Sequence, residues 1–179
     1  MHRLVLYVVC LFVLVVSQPM RALALDALPE ADGIRLFEKG KVLGGRAKDL
    51  LEIGKQQKEP INPSEISDLD AFRQAYADLH EQTIAMTLAG EAAANADHLL
   101  SVGTLLRFYG RMSCDLDKEP LRLLLRAQML SYAESMGDAV GLANRGLAQT
   151  RQPGVATAAA RIRDDLLESK SLLESIVLR

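Results

Sequence analysis

Residues 63–112, PSEISDLDAFRQAYADLHEQTIAMTLAGEAAANADHLLSVGTLLRFYGRM, hold the longest helical pattern in the chain that no proline interrupts. Asn62 offers a side chain to cap free amides, Pro63 suits the first helical position, and Glu65 reaches back to the cap, so a helix is expected to start at Pro63. Within it Leu69, Phe72, Tyr76, Leu79, Thr83, Met86, Gly90 and Ala93 recur in steps of three and four, the spacing of a packed seam. Continuing those steps would bury Asp97, Thr104 and Arg107, whereas the apolar residues are Leu99, Val102, Leu106 and Tyr109. The buried face is therefore expected to rotate between Ala93 and Asp97, by a kink or by a stop and restart, although Ala92-Ala93-Ala94 favours helix. One helix of about fifty residues would span about 75 Å, twice its predecessor. A break into helices over 63–94 and 96–112 is expected.

Upstream, Leu36, Gly40, Leu43, Ala47, Leu50 and Gly54 form the seam of a helix over 32–57. Gly40, Gly44 and Ala47 let a neighbouring helix come close. Gly44-Gly45-Arg46 is no phosphate loop, because it lies inside the helical pattern with no strand before it. Downstream, a helix over 117–149 carries Leu125, Met129, Tyr132, Met136, Val140, Ala143 and Leu147 on one broad face. A final helix over 153–178 has the cleanest pattern: Val155, Ala159, Ile162, Leu166, Ser169, Leu173 and Ile176. Short proline-bearing connections separate the helices, no segment alternates with the period of a strand, and no internal repeat aligns. The expected fold is all-α, an antiparallel up-and-down bundle of four to five helices forming one domain over 25–179.

Residues 1–24 read as a cleavable signal peptide rather than as part of that fold. A basic head, Met1-His2-Arg3, precedes an apolar run from Leu4 to Val16, and Ala22-Leu23-Ala24 supplies small residues for cleavage before Leu25. The run is too short for a membrane anchor, which needs roughly 20 apolar residues, and Cys10 sits in its middle, where lipoprotein processing does not act. No stable transmembrane anchor is expected after cleavage, and the location is periplasmic or secreted. Losing Arg3 and Arg21 takes the 21 basic residues to 19 against 23 acidic ones, a formal charge of −4. Positive and negative residues alternate along most segments, so there is no basic stripe for nucleic acid.

Few residues point to chemistry. His80 and His98 lack the partners that a zinc hydrolase or a di-iron bundle requires, and no C-x-x-C-H run is present for covalent haem. Met86, His98, Met129, Tyr132 and Met136 are the residues that could line a site for an apolar ligand, haem or metal between helices, although methionines at helical spacing usually fill cores. Glu91, Asn95 and His98 share a helix face and could ligate a cation; a solvated polar face is the plainer account. Cys114, the one cysteine left after cleavage, is either an idle thiol or one half of an intermolecular disulfide. No nucleophilic triad is recognisable.

The expected function is a non-enzymatic binding or interaction module with no cofactor, engaging a protein partner or a second copy of itself; the final helix is one candidate pairing face. The alternative is the carrier just described. Intact-mass measurement of the exported protein should give a chain beginning at Leu25, and retention of residues 1–24 would contradict the leader.

Overall fold

The computed structural model describes residues 29–56, 66, 68–112 and 118–179. The leader, the Asn62-Pro63 segment and Cys114 lie outside them. Four helices make up the described chain: α1 Glu30–Lys55, α2 Leu69–Arg111, α3 Lys118–Gln149 and α4 Pro153–Val177. None of the described helices is long and apolar enough to cross a membrane.

Two expectations for α2 need correction. It does not begin at Pro63: Ile66 is outside the helix, and Asp68, in extended conformation, accepts hydrogen bonds from the amides of Asp70 and Ala71, each at 3.3 Å. Aspartate is a strong N-cap, and it sits where the first orphan amides need an acceptor. Nor does the helix break near Ala93, because α2 runs unbroken for 43 residues, about 65 Å. At α4, Pro153 occupies the first turn as expected, its missing N–H costing nothing there.

The strongest packing in the molecule joins α1 to α2. Gly33, Gly40, Ala47 and Gly54 recur every seventh residue on α1, and Ala89, Ala96, Gly103 and Gly110 do so on α2. The helices run antiparallel with these stripes face to face. A Cβ added at Gly103 would lie 2.7 Å from the amide nitrogen of Phe37 and 2.8 Å from the carbonyl oxygen of Gly33. One added at Gly33 would meet the Arg107 nitrogen and Gly103 oxygen, both at 2.8 Å. Backbone touches backbone, so only glycine fits. Gly40 is similarly tight against Ala96 and Leu100, and Gly54 against Ala85, whereas Gly44 has ordinary room, 3.6 Å from the Ala96 methyl. Five glycines in α1 would cost about 0.5–1 kcal/mol each in an isolated helix. Leu36, Leu43 and Leu50, all fully buried, each contribute about 1.5–3 kcal/mol in compensation. Helix α1 therefore depends on its partner to exist.

The other pairs close a ring in which neighbours are antiparallel. The ion pairs Asp32–Arg179 at 2.8 Å, Lys39–Glu168 at 2.5 Å and Arg46–Asp165 at 3.3 Å join α1 to α4 in opposite directions. Asn95 bonds Ser135, and Leu88 packs on Gly146, joining α2 to α3. Gly137 faces Lys170, and Arg126 bonds the Val177 carbonyl, joining α3 to α4. Every residue of the expected α4 seam is buried, in a core shared with Leu99, Leu106, Met129 and Met136. That face is occupied within the bundle. On α3 the buried set is Leu125, Met129, Ala133, Met136, Ala139, Ala143 and Gly146; Tyr132, Val140 and Leu147 are only partly buried.

The expected α2 seam is also corrected. Leu69, Phe72, Tyr76, Leu79, Thr83, Met86, Gly90 and Ala93 are all exposed. The buried line is Glu81, Ala85, Leu88, Ala92, Asn95, Leu99, Val102, Leu106 and Tyr109, in unbroken steps of four and three. Its register never slips, so nothing calls for a kink. Such a heptad line in a continuous helix is what a bundle with coiled-coil-like packing needs.

Two alanine substitutions separate contact from propensity. Gly103→Ala should destabilise by about 1–3 kcal/mol, since the methyl must displace backbone. Gly45→Ala, with nothing within 4 Å of the added atom, should stabilise by about 0.5–1 kcal/mol. Urea unfolding of both variants measures this, and equal effects would contradict the contact.

Candidate functional site

Helix α2 is longer than the bundle it belongs to. At one end α1 finishes against Ala85 and Gln82, and the α3–α4 turn meets α2 at Glu81. Residues 69–80 continue past this level for about 18 Å, three more turns, and none of them is buried. Leu69 is 61% exposed, Phe72 44%, Tyr76 66% and Leu79 46%. They share one stripe, because steps of three and four on a helix return to the same side.

The same stripe continues beside α1 and changes character there. Met86, Gly90 and Ala93 on α2, with Gly40, Gly44 and Gly45 on α1, line a groove of about 570 Å³. Its cause is local: the glycine contacts hold the helices together, while Gly45 and Gly90, each with nothing within 4 Å of an added Cβ, leave the furrow unfilled. Lys41, Lys48 and Asp97 line it too, and all three are exposed. One face of the molecule thus carries a projecting bulky half and a recessed small-residue half.

The residues singled out for chemistry do not gather in one place. His98 and Tyr132 stack across the α2–α3 boundary, ring centroids 4.2 Å apart and planes 8° apart. One turn before His98, fully buried Asn95 accepts from Ser135 Oγ at 3.2 Å and donates through Nδ2 to the Glu91 backbone carbonyl at 2.9 Å. The Nδ1 atom of His98 is buried without a hydrogen-bond partner among the described residues. Met129 and Met136 are fully enclosed by the core, whereas Met86 is exposed on the groove face. Glu91 is exposed, so Asn95 engages its main chain and not its carboxylate. Among the described residues no three His, Cys, Asp or Glu side chains gather where a cation could sit. A second, smaller cavity of about 230 Å³ between α2 and α3 is lined by His80, Thr83, Thr87 and Arg145, among others.

Glu81 was not among the residues the sequence pointed to. It is 5% exposed, accepts from the Thr150 hydroxyl and takes the Arg151 amide at 2.6 Å, so a carboxylate of α2 caps the turn leading into α4. Gln152, at the N-cap position of α4, makes no capping bond with its own side chain. Its spacing from Ala85 and Leu88 was the one available signal, and a charged residue at a seam position is easily passed over. Asp32, also buried, ties α1 to Arg179 and pairs with Arg35 one turn along its own helix.

No protein-family model matches this sequence, and neither a curated protein nor a solved structure does.

Replacing Glu81 by alanine would strip the acceptor from two part-buried donors, the Thr150 hydroxyl and the Arg151 amide. The expected cost is about 1–3 kcal/mol in urea unfolding with helical content retained, and a cost near zero would mean that water serves those donors equally well.

Proposed function

We propose that this chain is an exported, non-enzymatic interaction module whose docking face is the exposed stripe of α2 together with the α1–α2 groove. The observation that carries the proposal is the projecting stripe itself. Bulky apolar side chains at 69, 72, 76 and 79 stand in water on a helix whose buried face is complete without them. Contiguous apolar surface of this kind marks a contact site. Tyrosine is among the side chains from which interface hot spots are commonly built, and phenylalanine is enriched in interface cores. Export is supported by the leader-like pattern of residues 1–24 alone.

A carrier role has one specific observation in its favour. The groove's volume lies in the range of small-molecule sites, and Met86 of the five carrier candidates lines it. The groove opens along its length onto the projecting helix, a shape that suits a helical segment better than a compact ligand.

Photo-crosslinking tests the docking face. A photoreactive residue in place of Tyr76, in protein produced by its own cells, should yield covalent protein adducts, whereas the same group in place of Asp164, exposed on α4, should yield none. Equal yields at both positions, or none at position 76, would overturn the docking face.

A further inference from the structure

The docking face has two unlike halves on one line, and each half has the shape the other lacks. We infer that its occupant is a second copy of this chain, with the projecting α2 segment of each copy lying in the α1–α2 groove of the other about a two-fold axis near residue 81. This inference rests on the proposed docking face and adds the identity of the partner.

Register follows from the heptad steps. When two α2 helices run antiparallel, the positions of one seam alternate against those of the other. Centred near residue 81, Leu69 comes opposite Ala93, Phe72 opposite Gly90, Tyr76 opposite Met86, and Leu79 opposite Thr83. Large side chains meet small ones at the two outer layers, and a two-fold axis makes every such match occur twice. The space for Phe72 is the space that Gly90 and Gly45 leave, since a Cβ at either position would touch nothing within 4 Å.

Charge runs the same way. The projection carries Asp68 and Asp70 at its tip and Asp78 nearer the bundle, against one Arg73. The groove side carries Lys41 and Lys48 against Asp97. In the stated register the Asp68–Asp70 turn falls beside the stretch of α1 that holds both lysines. A parallel arrangement would instead set Phe72 against Phe72 and Gly90 against Gly90, and would leave both grooves empty. Fully covered, the exposed parts of Leu69, Phe72, Tyr76, Leu79 and Met86 amount to roughly 500 Å² per copy, which brings the pair to about 1,000 Å², the threshold for a specific interface.

Cysteine pairing reads the register directly. The protein is prepared with Cys114→Ser, and with Cys10→Ser where the leader is retained, and cysteines are introduced at two exposed positions, Phe72→Cys and Gly90→Cys. Under mild oxidation the double variant should convert to a covalent dimer, while each single variant should not, because residue 72 of one copy is about 27 Å along the axis from residue 72 of the other. Sedimentation equilibrium of the otherwise unaltered protein should show a monomer–dimer equilibrium, and Tyr76→Asp should weaken it at least about tenfold without changing helical content. The inference is overturned if the protein remains a monomer at every concentration reached, or if Phe72→Cys alone dimerises as readily as the double variant. The photo-crosslink at position 76 then separates the two proposals. An adduct of twice the chain mass supports self-pairing; an adduct with a different protein alone overturns self-pairing and leaves the docking face standing; no adduct overturns both.

Discussion

Backbone contact between α1 and α2 governs the remainder of the structure. Where Gly33 and Gly103 meet, no side chain intervenes, and the approach repeats at Gly40 and, more loosely, at Gly54. Small residues must then line the facing side of each helix for the full length of the contact. That demand decides which face of α2 turns inward. Alanine and glycine face α1, the adjoining line from Leu88 to Tyr109 faces the shared core, and the bulky residues at 69, 72, 76 and 79 stay outside because α2 there runs past the ends of its neighbours.

The groove is a second outcome of the same constraint. Two helices held this closely form a shallow furrow, and side chains normally fill it. At Gly44, Gly45, Gly90 and Ala93 there are almost none, so the furrow stays open in line with the projecting turns. The polar pins set the remaining geometry. Asp32 and Arg46 tie α1 to α4, Asn95 with Ser135 fixes α2 against α3, and Glu81 caps the turn before α4 at the level where the bundle ends. Polar groups placed singly within an apolar seam define register, because a shift of one turn would leave each of them buried and unpaired.

The sequence showed helices, their order and two of the four buried seams. On α1 the leucines alternate with glycines at unmistakable spacing, and on α4 every seam residue is apolar or small. It misled on α2, where two heptad lines run side by side. Over residues 69–86 the line with Phe72, Tyr76, Leu79 and Met86 is the more hydrophobic, but the line that packs starts at Glu81 and gathers its large apolar residues, Leu88, Leu99, Val102 and Leu106, further along. Hydrophobicity ranks a face by what it would gain from burial, whereas close approach selects a face by what it lacks. The apparent slip near Ala93 arose from following the first line until it ran out and then joining the second. The same bias placed Tyr132, Val140 and Leu147 inside α3 ahead of Ala133, Ala139 and Gly146. The exposed stripe was thus present in the sequence, read as core.

Hydroxyl-radical footprinting at a concentration where the chain sediments as a single copy tests most directly which line of α2 is buried. The small-residue packing predicts rapid oxidation of Phe72, Tyr76 and Met86, with Tyr109, Met129 and Met136 strongly protected. Protection of Tyr76 and Met86 equal to that of Met129 and Met136 would mean that the bulky line packs inward after all, and would contradict the account.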